Sequence, residues 1–363
     1  MKVLVVSSYG LLGGAELALL AFLEARPPGI DVDALLVSGG PLRAELERID
    51  VPVEEAAGFE GRPGPGAIPR FGPVASRAIK RSQPDVIWAL GQKAALLTVG
   101  VARVRRVPIV WHKVDFSWDK ALGVPLAAAV NGAITVSGAV AEALGPLRRR
   151  RLLDTVGPPI ALPAELRTQP DPARPAIGTL ARLVPYKGHH HIIRAAAELA
   201  GEYPTLRVVL AGDAAPQYPD YPSGLRALAD EVGLGQRVEL PGFVAPEQVL
   251  GELTVFINAT YRDEEGFGLE GLSGAMLEAS WAGVPVVATS GGGTDEGVVP
   301  GETGTLVPSA DPHLIATAVR AYLDDGALAR RTGEHGMAFA RERFSPEAGA
   351  RRLFAALARA AGH

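Results

Sequence analysis

Short apolar strands alternate with amphipathic helices along the chain, and this alternation limits the possible fold more than any single motif does. In the first half, the β-branched runs "KVLVVSS", "DVDALLVSG" and "PDVIWALG" are each followed by a segment with helical periodicity. Strands that are apolar on both faces and separated by helices form parallel sheets covered on both sides. The pattern therefore predicts a doubly wound α/β fold.

A proline-rich segment divides this alternation in two. Residues 161–175 are aperiodic and are expected to form a linker, after which "AIGTLA" and "LRVVLAGD" restart the alternation. A chain of 363 residues is long enough for two domains. We expect an N-terminal domain over 1–160, a C-terminal domain over 176–345, and a final helix at about 346–363 that rejoins the N-terminal domain. Substrates are expected in a cleft between the domains, at the carboxyl ends of the strands.

Composition excludes several classes of function. A net charge of -4 gives no reason to expect nucleic acid as a partner. The chain has no Cys, which excludes disulfides and thiolate metal sites and suits a reducing compartment. No stretch offers the roughly 18 apolar residues that a spanning helix needs, and "MKVLVVSS" is typical of a buried strand rather than a signal peptide. We expect a cytoplasmic protein, with a weak peripheral contact to a membrane left open.

The segment "EEGFGLEGLSGAMLE", residues 264–278, contains four glutamates between two strongly apolar runs. A strand, a glycine-bearing loop, a short helix and another strand form a ligand-binding turn at the edge of a parallel sheet. Gly271, Leu272 and Ser273 are predicted to begin the helix, with Ser273 as its cap and free backbone N–H groups facing a ligand. Glu278 lies two turns later among apolar residues, so its carboxylate should be partly buried and in need of a hydrogen-bonding partner.

Two other turns are suited to a phosphate group. "SSYGLLGGAE" places Gly13 and Gly14 between the first strand and the first helix, where a backbone can approach a phosphate or a sugar closely. Its spacing is not GxGxxG and no acidic residue ends the second strand, so a nicotinamide cofactor is disfavoured. "ARLVPYKG" places Arg182 and Lys187 across a strand-to-helix turn, where two cations can converge on a diphosphate.

Three C-terminal stretches resemble the donor domain of retaining glycosyltransferases of family 4: "ARLVPYKGHHHIIRAAAELAGEYPTLRVVLAGD", "RVELPGFV" and "LEASWAGVPVVATSGGGTDEGVVPGETGTLVP". "SYGLLGGAE" and "GAITVSGAVAEAL" are similar to the family's N-terminal domain, so the resemblance covers nearly the whole chain. It implies the GT-B fold, in which two Rossmann-like domains with doubly wound parallel sheets face each other across a cleft. The family's signature has two glutamates with seven residues between them. Counting back from Glu278 gives Glu270 as its partner and leaves Glu265 outside the pair.

The resemblance implies a role for each of these positions. Glu278 would bind the ribose of a nucleotide and Glu270 the hydroxyls of a donor sugar. Arg182 and Lys187, with helix amides near Leu272, would stabilise the departing diphosphate. His112, in "VPIVWHK", would touch the sugar near the reacting carbon. The implied catalytic residues are Glu270, His112, Arg182 and Lys187, and the implied donor-binding residues are Gly13, Gly14, Arg182, Lys187, Val244, Glu270, Gly271, Leu272, Ser273 and Glu278.

The implied reaction moves a sugar from a UDP- or GDP-linked nucleotide sugar to an acceptor hydroxyl, with retention of anomeric configuration. Two cations and a helix terminus replace a metal, so neither a divalent ion nor another cofactor is expected. The acceptor is an unknown sugar, lipid or small molecule, for which Gln92 and Lys93 are candidate contacts. Two alternatives remain: a nucleotide-sugar epimerase of GT-B fold, and a catalytically silent nucleotide-sugar-binding protein.

Two conspicuous runs are interpreted as structural. Consecutive residues of a helix point about 100° apart, so His189–His191 cannot all ligate one metal ion. Arg148–Arg151 is predicted to be a solvated helix end, although such a run can also touch anionic lipid. The "EGLS" and "GGTDE" stretches depart from the family's commoner versions near the sugar, so the sequence does not identify the donor sugar.

Overall fold

The computed structural model describes residues 1–61, 64, 66–117, 119–263 and 268–362. The chain divides into two compact units, one formed by Met1–Ala161 with Phe344–His363 and the other by Leu162–Arg343. Each unit has one parallel sheet flanked by helices. The predicted α/β class with two doubly wound sheets is therefore confirmed.

The N-terminal unit contains a seven-stranded sheet. Its strands are β1 (Lys2–Ser7), β2 (Asp31–Leu36), β3 (Val53–Glu55), β4 (Val86–Leu90), β5 (Ile109–Lys113), β6 (Gly132–Thr135) and β7 (Leu152–Thr155). Its first helices are α1 (Gly14–Glu24), α2 (Leu42–Arg48), α3 (Ala67–Ser82), α4 (Gly91–Arg105), α5 (Val124–Ala129), α6 (Gly138–Glu142) and α7 (Arg148–Arg151). The strands lie in the order β3-β2-β1-β4-β5-β6-β7, and all neighbouring pairs are parallel.

The C-terminal unit contains a six-stranded sheet. Its strands are β8 (Ala176–Leu180), β9 (Arg207–Ala211), β10 (Val238–Glu239), β11 (Val255–Asn258), β12 (Val286–Thr289) and β13 (Gly304–Val307). Its helices are α8 (His189–Leu199), α9 (Tyr221–Glu231), α10 (Pro246–Leu250), α11 (Gly274–Trp281), α12 (Thr294–Gly297), α13 (Pro312–Asp324) and α14 (Gly326–Arg343). The chain then ends in α15 (Pro346–Ala361), which belongs to the N-terminal unit.

The strand order of the second sheet determines where a ligand can bind. The order is β10-β9-β8-β11-β12-β13, with all neighbouring pairs parallel, so its direction reverses between β8 and β11. Connections leave opposite faces of the sheet at such a reversal and open a crevice at the carboxyl ends of the two strands. Arg182 and Lys187 follow β8, and Glu270 follows β11, so all three lie in the segments that border this crevice.

Helix α3 is the main element that the sequence did not predict. The sequence of residues 58–70 is rich in Pro and Gly, which favours a loop, yet the helix begins at Ala67 and continues past Pro73. Its buried residues Phe71, Ala75 and Ala78 recur at helical spacing, and this apolar stripe outweighs the one backbone hydrogen bond that proline removes. The strands β3, β7 and β13 were also not predicted, because each is short and lies at a sheet edge, where alternation is weak.

The predicted linker is attached to the C-terminal unit over part of its length. The backbone N–H of Thr168 donates to Ala282 O at 2.9 Å, and that of Gln169 donates to Gly251 O at 2.8 Å. Trp281 Nε1, at the end of α11, donates to Pro163 O at 3.2 Å. These bonds anchor the segment beside the helix that carries Glu278.

Helix α14 packs so closely on the turn after α11 that only a glycine fits at Gly333, and this generates a testable prediction. A Cβ at Gly333 would lie 2.0 Å from Gly283 O, whereas a Cβ at Gly224 in α9 would meet nothing within 4 Å. Gly333→Ala should lower the free energy of unfolding by about 1–3 kcal/mol through overpacking. Gly224→Ala should raise it by about 0.5–1 kcal/mol through helix propensity. Chemical denaturation of both variants tests the packing, and a stabilised Gly333→Ala would contradict it.

Candidate functional site

An ion pair joins the turn after β8 to the segment before α11. Lys187 Nζ contacts Glu270 Oε1, and the two side chains are 18% and 17% exposed. Thr260 Oγ1 lies 3.1 Å from the same carboxylate oxygen. Burial favours the neutral acid, but Lys187, Thr260 and the charge of Arg182 together hold the pKa of Glu270 below its ordinary value. Glu270 is therefore an ionised carboxylate, and the structure brings together three residues that the sequence predicted.

The local backbone explains why Lys187 reaches this position. Pro185–Lys187 forms a single 3₁₀ turn that ends at Gly188, whose φ is 73°. A Cβ on Gly188 would lie 2.1 Å from Ala259 O, just after β11. A side chain at this position would separate the two segments, so the glycine allows the β8 turn to lie directly against the end of β11.

Arg182 is exposed at the end of β8. Its positive charge lowers the pKa of Glu270, and its guanidinium has no hydrogen bond or ion pair among the residues that the structure describes. A guanidinium without a partner has its N–H donors available for an anion, and it can bind two phosphate oxygens in a bidentate geometry.

Glu278 lies on α11 in a different environment from Glu270. It is half-buried, and within the described chain no hydrogen bond or ion pair reaches its carboxylate. Burial, with a smaller contribution from the negative charge of Glu247, raises the pKa of Glu278 to about 7. Lys187 and Arg182 thus act on Glu270, as predicted. The charge that acts on Glu278 is instead the negative charge of Glu247.

The start of α11 differs by a few residues from the prediction. Ser273 is the cap, as expected, and its Oγ accepts a hydrogen bond from Met276 N at 3.4 Å. Gly271 and Leu272 precede the helix rather than begin it, since α11 starts at Gly274. The free backbone N–H groups of the first turn therefore belong to residues after Ser273. Helix amides that could stabilise a diphosphate lie there, not near Leu272 as predicted. Glu265 lies outside the described residues.

The remaining donor-binding candidates are Gly13 and Gly14 at the start of α1 and Val244 in a loop of the C-terminal unit. Gly13 precedes α1 and Gly14 is its first residue; both are exposed, and a Cβ on Gly14 would meet nothing within 4 Å. The protein itself therefore does not require a glycine at position 14. Val244 is half-buried in the loop between β10 and α10 of the C-terminal unit.

His112 is enclosed in the N-terminal unit. It is 3% exposed, and its ring lies 5.8 Å from that of Trp88 and 6.2 Å from that of Phe22. Trp88 Nε1 donates to His112 Nδ1 at 3.2 Å, and burial lowers the pKa of His112 to about 4. The imidazole is therefore neutral and carries its proton on Nε2, which has no partner among the described residues. The structure places His112 in the core rather than on a ligand-facing surface, and its role in catalysis stays a prediction.

Gln92 and Lys93 do not present free side chains to an acceptor, contrary to expectation. Gln92 Nε2 donates to Asp115 Oδ1 and to Ser117 O, each at 2.7 Å. Lys93 Nζ donates to Phe59 O and lies 5.0 Å from the centre of the Tyr9 ring. Both side chains are buried because each holds a loop against the start of α4.

The histidine and arginine runs have the structural roles that the sequence favoured. His189 is fully buried, and His190 Nδ1 lies 3.0 Å from Tyr221 Oη. Arg148 pairs with Glu142. Across the described residues, no three His, Asp or Glu side chains are close enough to hold a metal ion. Nor does any helix in the part of the chain that the structure describes have the length and apolarity to cross a membrane.

Thr260 is a site residue that the sequence analysis missed. An uncharged residue just after a strand carries no signal of its own, and the sequence does not show that Thr260 contacts Glu270, ten positions later. Glu247 was missed because it lies 31 positions before Glu278 in sequence.

Comparisons with known proteins agree with this architecture. The family model described as "Glycosyl transferases group 1" matches residues 167–339. A GDP-mannose-dependent alpha-(1-6)-phosphatidylinositol monomannoside mannosyltransferase of Mycolicibacterium smegmatis is 29% identical over 286 residues, which is 72% of each chain. A D-inositol 3-phosphate glycosyltransferase of Corynebacterium glutamicum is 34% identical over 169 residues, covering 46% of this chain and 39% of that one.

Solved structures resemble both units at once. The structure of HepE from Anabaena, in complex with UDP and glucose, superposes with a TM-score of 0.82 at 24% identity and covers 99% of both chains. A glycosyltransferase from Rickettsia africae gives a TM-score of 0.80 at 16% identity, covering 99% of this chain and 98% of that one. The fold is GT-B, with two Rossmann-like units. The match to the group 1 glycosyltransferase model thus covers most of the C-terminal unit, and the fold of both units is that of GT-B glycosyltransferases.

Proposed function

We propose that this enzyme transfers a sugar from a UDP- or GDP-linked donor to an acceptor hydroxyl, with retention of configuration and without a metal ion. The observation that carries the proposal is the contact of Lys187 with Glu270 beside Arg182. The positive charges of Lys187 and Arg182 suit a diphosphate, and the carboxylate of Glu270 suits sugar hydroxyls. HepE binds UDP and glucose, and the Mycolicibacterium relative is named for GDP-mannose. Both support a nucleotide sugar as the donor, whose base is either uracil or guanine.

The cations act on the leaving group. Negative charge develops on the diphosphate as the bond to the sugar breaks, and groups already positioned around that charge lower the barrier. Arg182 and Lys187 supply two positive charges there, which is the task that a divalent metal performs in other transferases. The acceptor attacks from the face that the diphosphate leaves, and a phosphate oxygen takes the acceptor's proton. The mechanism therefore needs no side-chain nucleophile.

The carboxylates act on hydroxyl groups of the donor. Glu270 is ionised and accepts hydrogen bonds from the sugar, while Glu278 accepts them from the ribose. Val244, Gly271 and Ser273 complete the proposed donor site within the C-terminal unit. Gly13, Gly14 and His112 belong to the N-terminal unit, and a part for them in donor binding stays an expectation from the family resemblance.

The acceptor is proposed to be a sugar, a lipid or a small molecule with a free hydroxyl. The names of both relatives contain inositol, so inositol phosphates and phosphatidylinositol are the first compounds to assay. For a lipid acceptor, the exposed Arg149 and Arg150 would give a weak peripheral contact with an anionic membrane surface.

The first prediction concerns the metal. The enzyme incubated with labelled UDP-glucose or GDP-mannose and the acceptor panel should form product at the same rate with and without EDTA. Loss of activity in EDTA that Mg²⁺ restores would contradict metal independence. Proton NMR of the product establishes its anomeric configuration, and an epimerised donor without transfer would favour the epimerase alternative.

The second prediction tests the pairing of the glutamates. Glu270→Gln removes the charge opposite Lys187 and should lower kcat by at least about 100-fold, the scale of losing one electrostatic group of a catalytic site. Glu265→Gln should retain activity, because the spacing assigns the pair to Glu270 and Glu278. Equal losses in the two variants would show that the assigned register is wrong.

The third prediction uses the raised pKa of Glu278. A ribose that donates hydrogen bonds to this carboxylate binds the ionised form, which at a pKa of about 7 is roughly one-tenth of the population at pH 6 and nine-tenths at pH 8. Affinity for UDP or GDP should therefore rise about 5- to 10-fold from pH 6 to pH 8, beyond any change due to titration of the nucleotide itself.

Calorimetry with Glu278→Gln is the control, because this variant has no carboxylate to titrate and should give a smaller change with pH. The same pH dependence in both proteins would remove Glu278 from the ribose site.

A further inference from the structure

Three polar side chains are linked in a row at the carboxyl end of β11. Thr260 Oγ1 lies 2.7 Å from Asn258 Oδ1 and 3.1 Å from Glu270 Oε1. Asn258 is the last residue of β11, and Asn258 and Thr260 are only 6% and 8% exposed. The threonine hydroxyl therefore lies between an amide oxygen and the carboxylate that Lys187 contacts.

The hydroxyl of Thr260 has one hydrogen, and both of its neighbours are acceptors. The orientation of the Asn258 amide is set by two other groups. Its Oδ1 accepts from the backbone N–H of Thr260 at 3.3 Å, and its Nδ2 faces Met276 Sδ at 4.0 Å. The opposite orientation would place two N–H groups against each other. Thr260 can therefore donate fully to Asn258 or to Glu270, but not to both at once.

The ion pair influences which acceptor the hydroxyl serves. While Lys187 contacts Glu270, the carboxylate has a cationic donor, and the shorter distance favours Asn258 as the partner of the hydroxyl. Without Lys187, Glu270 would be a largely buried carboxylate, and hydrogen bonds to a charged acceptor are the stronger ones. Rotation about the Cβ–Oγ1 bond is enough to redirect the hydroxyl. Asn258 Oδ1 keeps the backbone N–H of Thr260, so neither oxygen is left without a donor.

We propose that Thr260 is a positioning residue whose hydroxyl turns from Asn258 to Glu270 when that carboxylate loses its cation. In the proposed reaction this happens when a diphosphate attracts Lys187, so the inference rests on the proposed function. The rotation keeps the carboxylate ionised and in place while the lysine binds the leaving group. Burial raises the pKa of Glu270, and both Lys187 and the hydrogen bond from Thr260 lower it, so the two donors support the same charge state.

The first test titrates Glu270 and needs no substrate. In enzyme with isotope-labelled glutamate, the carboxyl carbon signal that is missing from Glu270→Gln identifies this residue, and its shift with pH gives the pKa. Thr260→Val removes the hydroxyl at nearly constant shape and should raise the pKa of Glu270, because the ionised form loses a donor. In a Lys187→Met background, where the hydroxyl serves Glu270 throughout, the rise should be about twice as large or more.

Asn258→Leu should change the pKa of Glu270 in the opposite direction. This variant removes the competing acceptor, so the hydroxyl of Thr260 donates to Glu270 even while Lys187 is paired, and the pKa falls. A purely structural role would not give opposite signs for substitutions two positions apart. Asn258→Leu also keeps the inference testable if Thr260→Val does not fold.

Thr305→Val is the matched control, and Thr260→Ser is the rescue. Thr305 lies on β13 of the same unit, and its Oγ1 is 3.0 Å from Tyr322 Oη. Removing this hydroxyl deletes a hydrogen bond outside the row of Asn258, Thr260 and Glu270, so the titration of Glu270 should match that of the wild type. Thr260→Ser restores the hydroxyl and should restore the wild-type titration.

The second test measures sugar transfer at saturating donor. Thr260→Val should lower kcat about 10- to 100-fold, the scale of one hydrogen bond to a charged group. The acid side of its kcat profile should move to higher pH, because the ionised form of Glu270 is then lost at a higher pH. Thr260→Ser and Thr305→Val should keep the wild-type profile.

The two tests separate the inference from the proposed function. An equal rise in the pKa of Glu270 in both backgrounds, or no rise in either, would overturn the rotation of the Thr260 hydroxyl. A wild-type enzyme in which Glu270 titrates as expected but no nucleotide sugar is consumed would instead overturn the proposed function, while the coupling of Thr260 to Lys187 would be supported.

Discussion

The ion pair of Lys187 with Glu270 is the contact on which the ligand-binding edge of the C-terminal unit depends. Both side chains are largely buried, and a buried charge is tolerated only with a compensating partner. A diphosphate that attracts Lys187 would therefore weaken the ion pair that offsets the buried charge of Glu270. The carboxylate would then need hydrogen bonds from other groups. Sugar hydroxyls next to the diphosphate would provide them. Under the proposed function, recognition of the two halves of a nucleotide sugar would thus be coupled through this one pair of side chains.

Two glutamates on one short segment have opposite protonation behaviour because their surroundings differ. Cations outweigh burial at Glu270, whereas burial and a second carboxylate act in the same direction at Glu278. Residue type alone does not determine this difference. It arises because Glu270 precedes α11 and faces the β8 turn, while Glu278 lies within the helix.

Periodicity predicted the class of fold and most long elements. The pairing of Glu270 with Glu278 came from the family resemblance and stays a prediction; the structure places Glu270 against Lys187, while Glu278 lies within α11. Tertiary contacts were harder to predict: Thr260 contacts Glu270 ten positions away in sequence, and α3 forms through burial of Phe71 despite Pro73. His112 shows the same limit, since its position on β5 could be counted, but Phe22 and Trp88 enclose its ring through tertiary packing.

The return of α15 to the first unit separates the order of synthesis from the order of folding. Phe354 packs edge-to-face on Trp88 at 6.1 Å, and Leu353 and Leu357 are buried in the same core as Val3 and Val5. A nascent chain that has left the ribosome only as far as Arg343 therefore contains the C-terminal unit in full but lacks the part of the first unit's core that α15 supplies beside α1 and α2. Domains usually fold as they emerge, whereas here the unit made first is the last to acquire its complete core. Removal of α15 would therefore damage the core of the N-terminal unit.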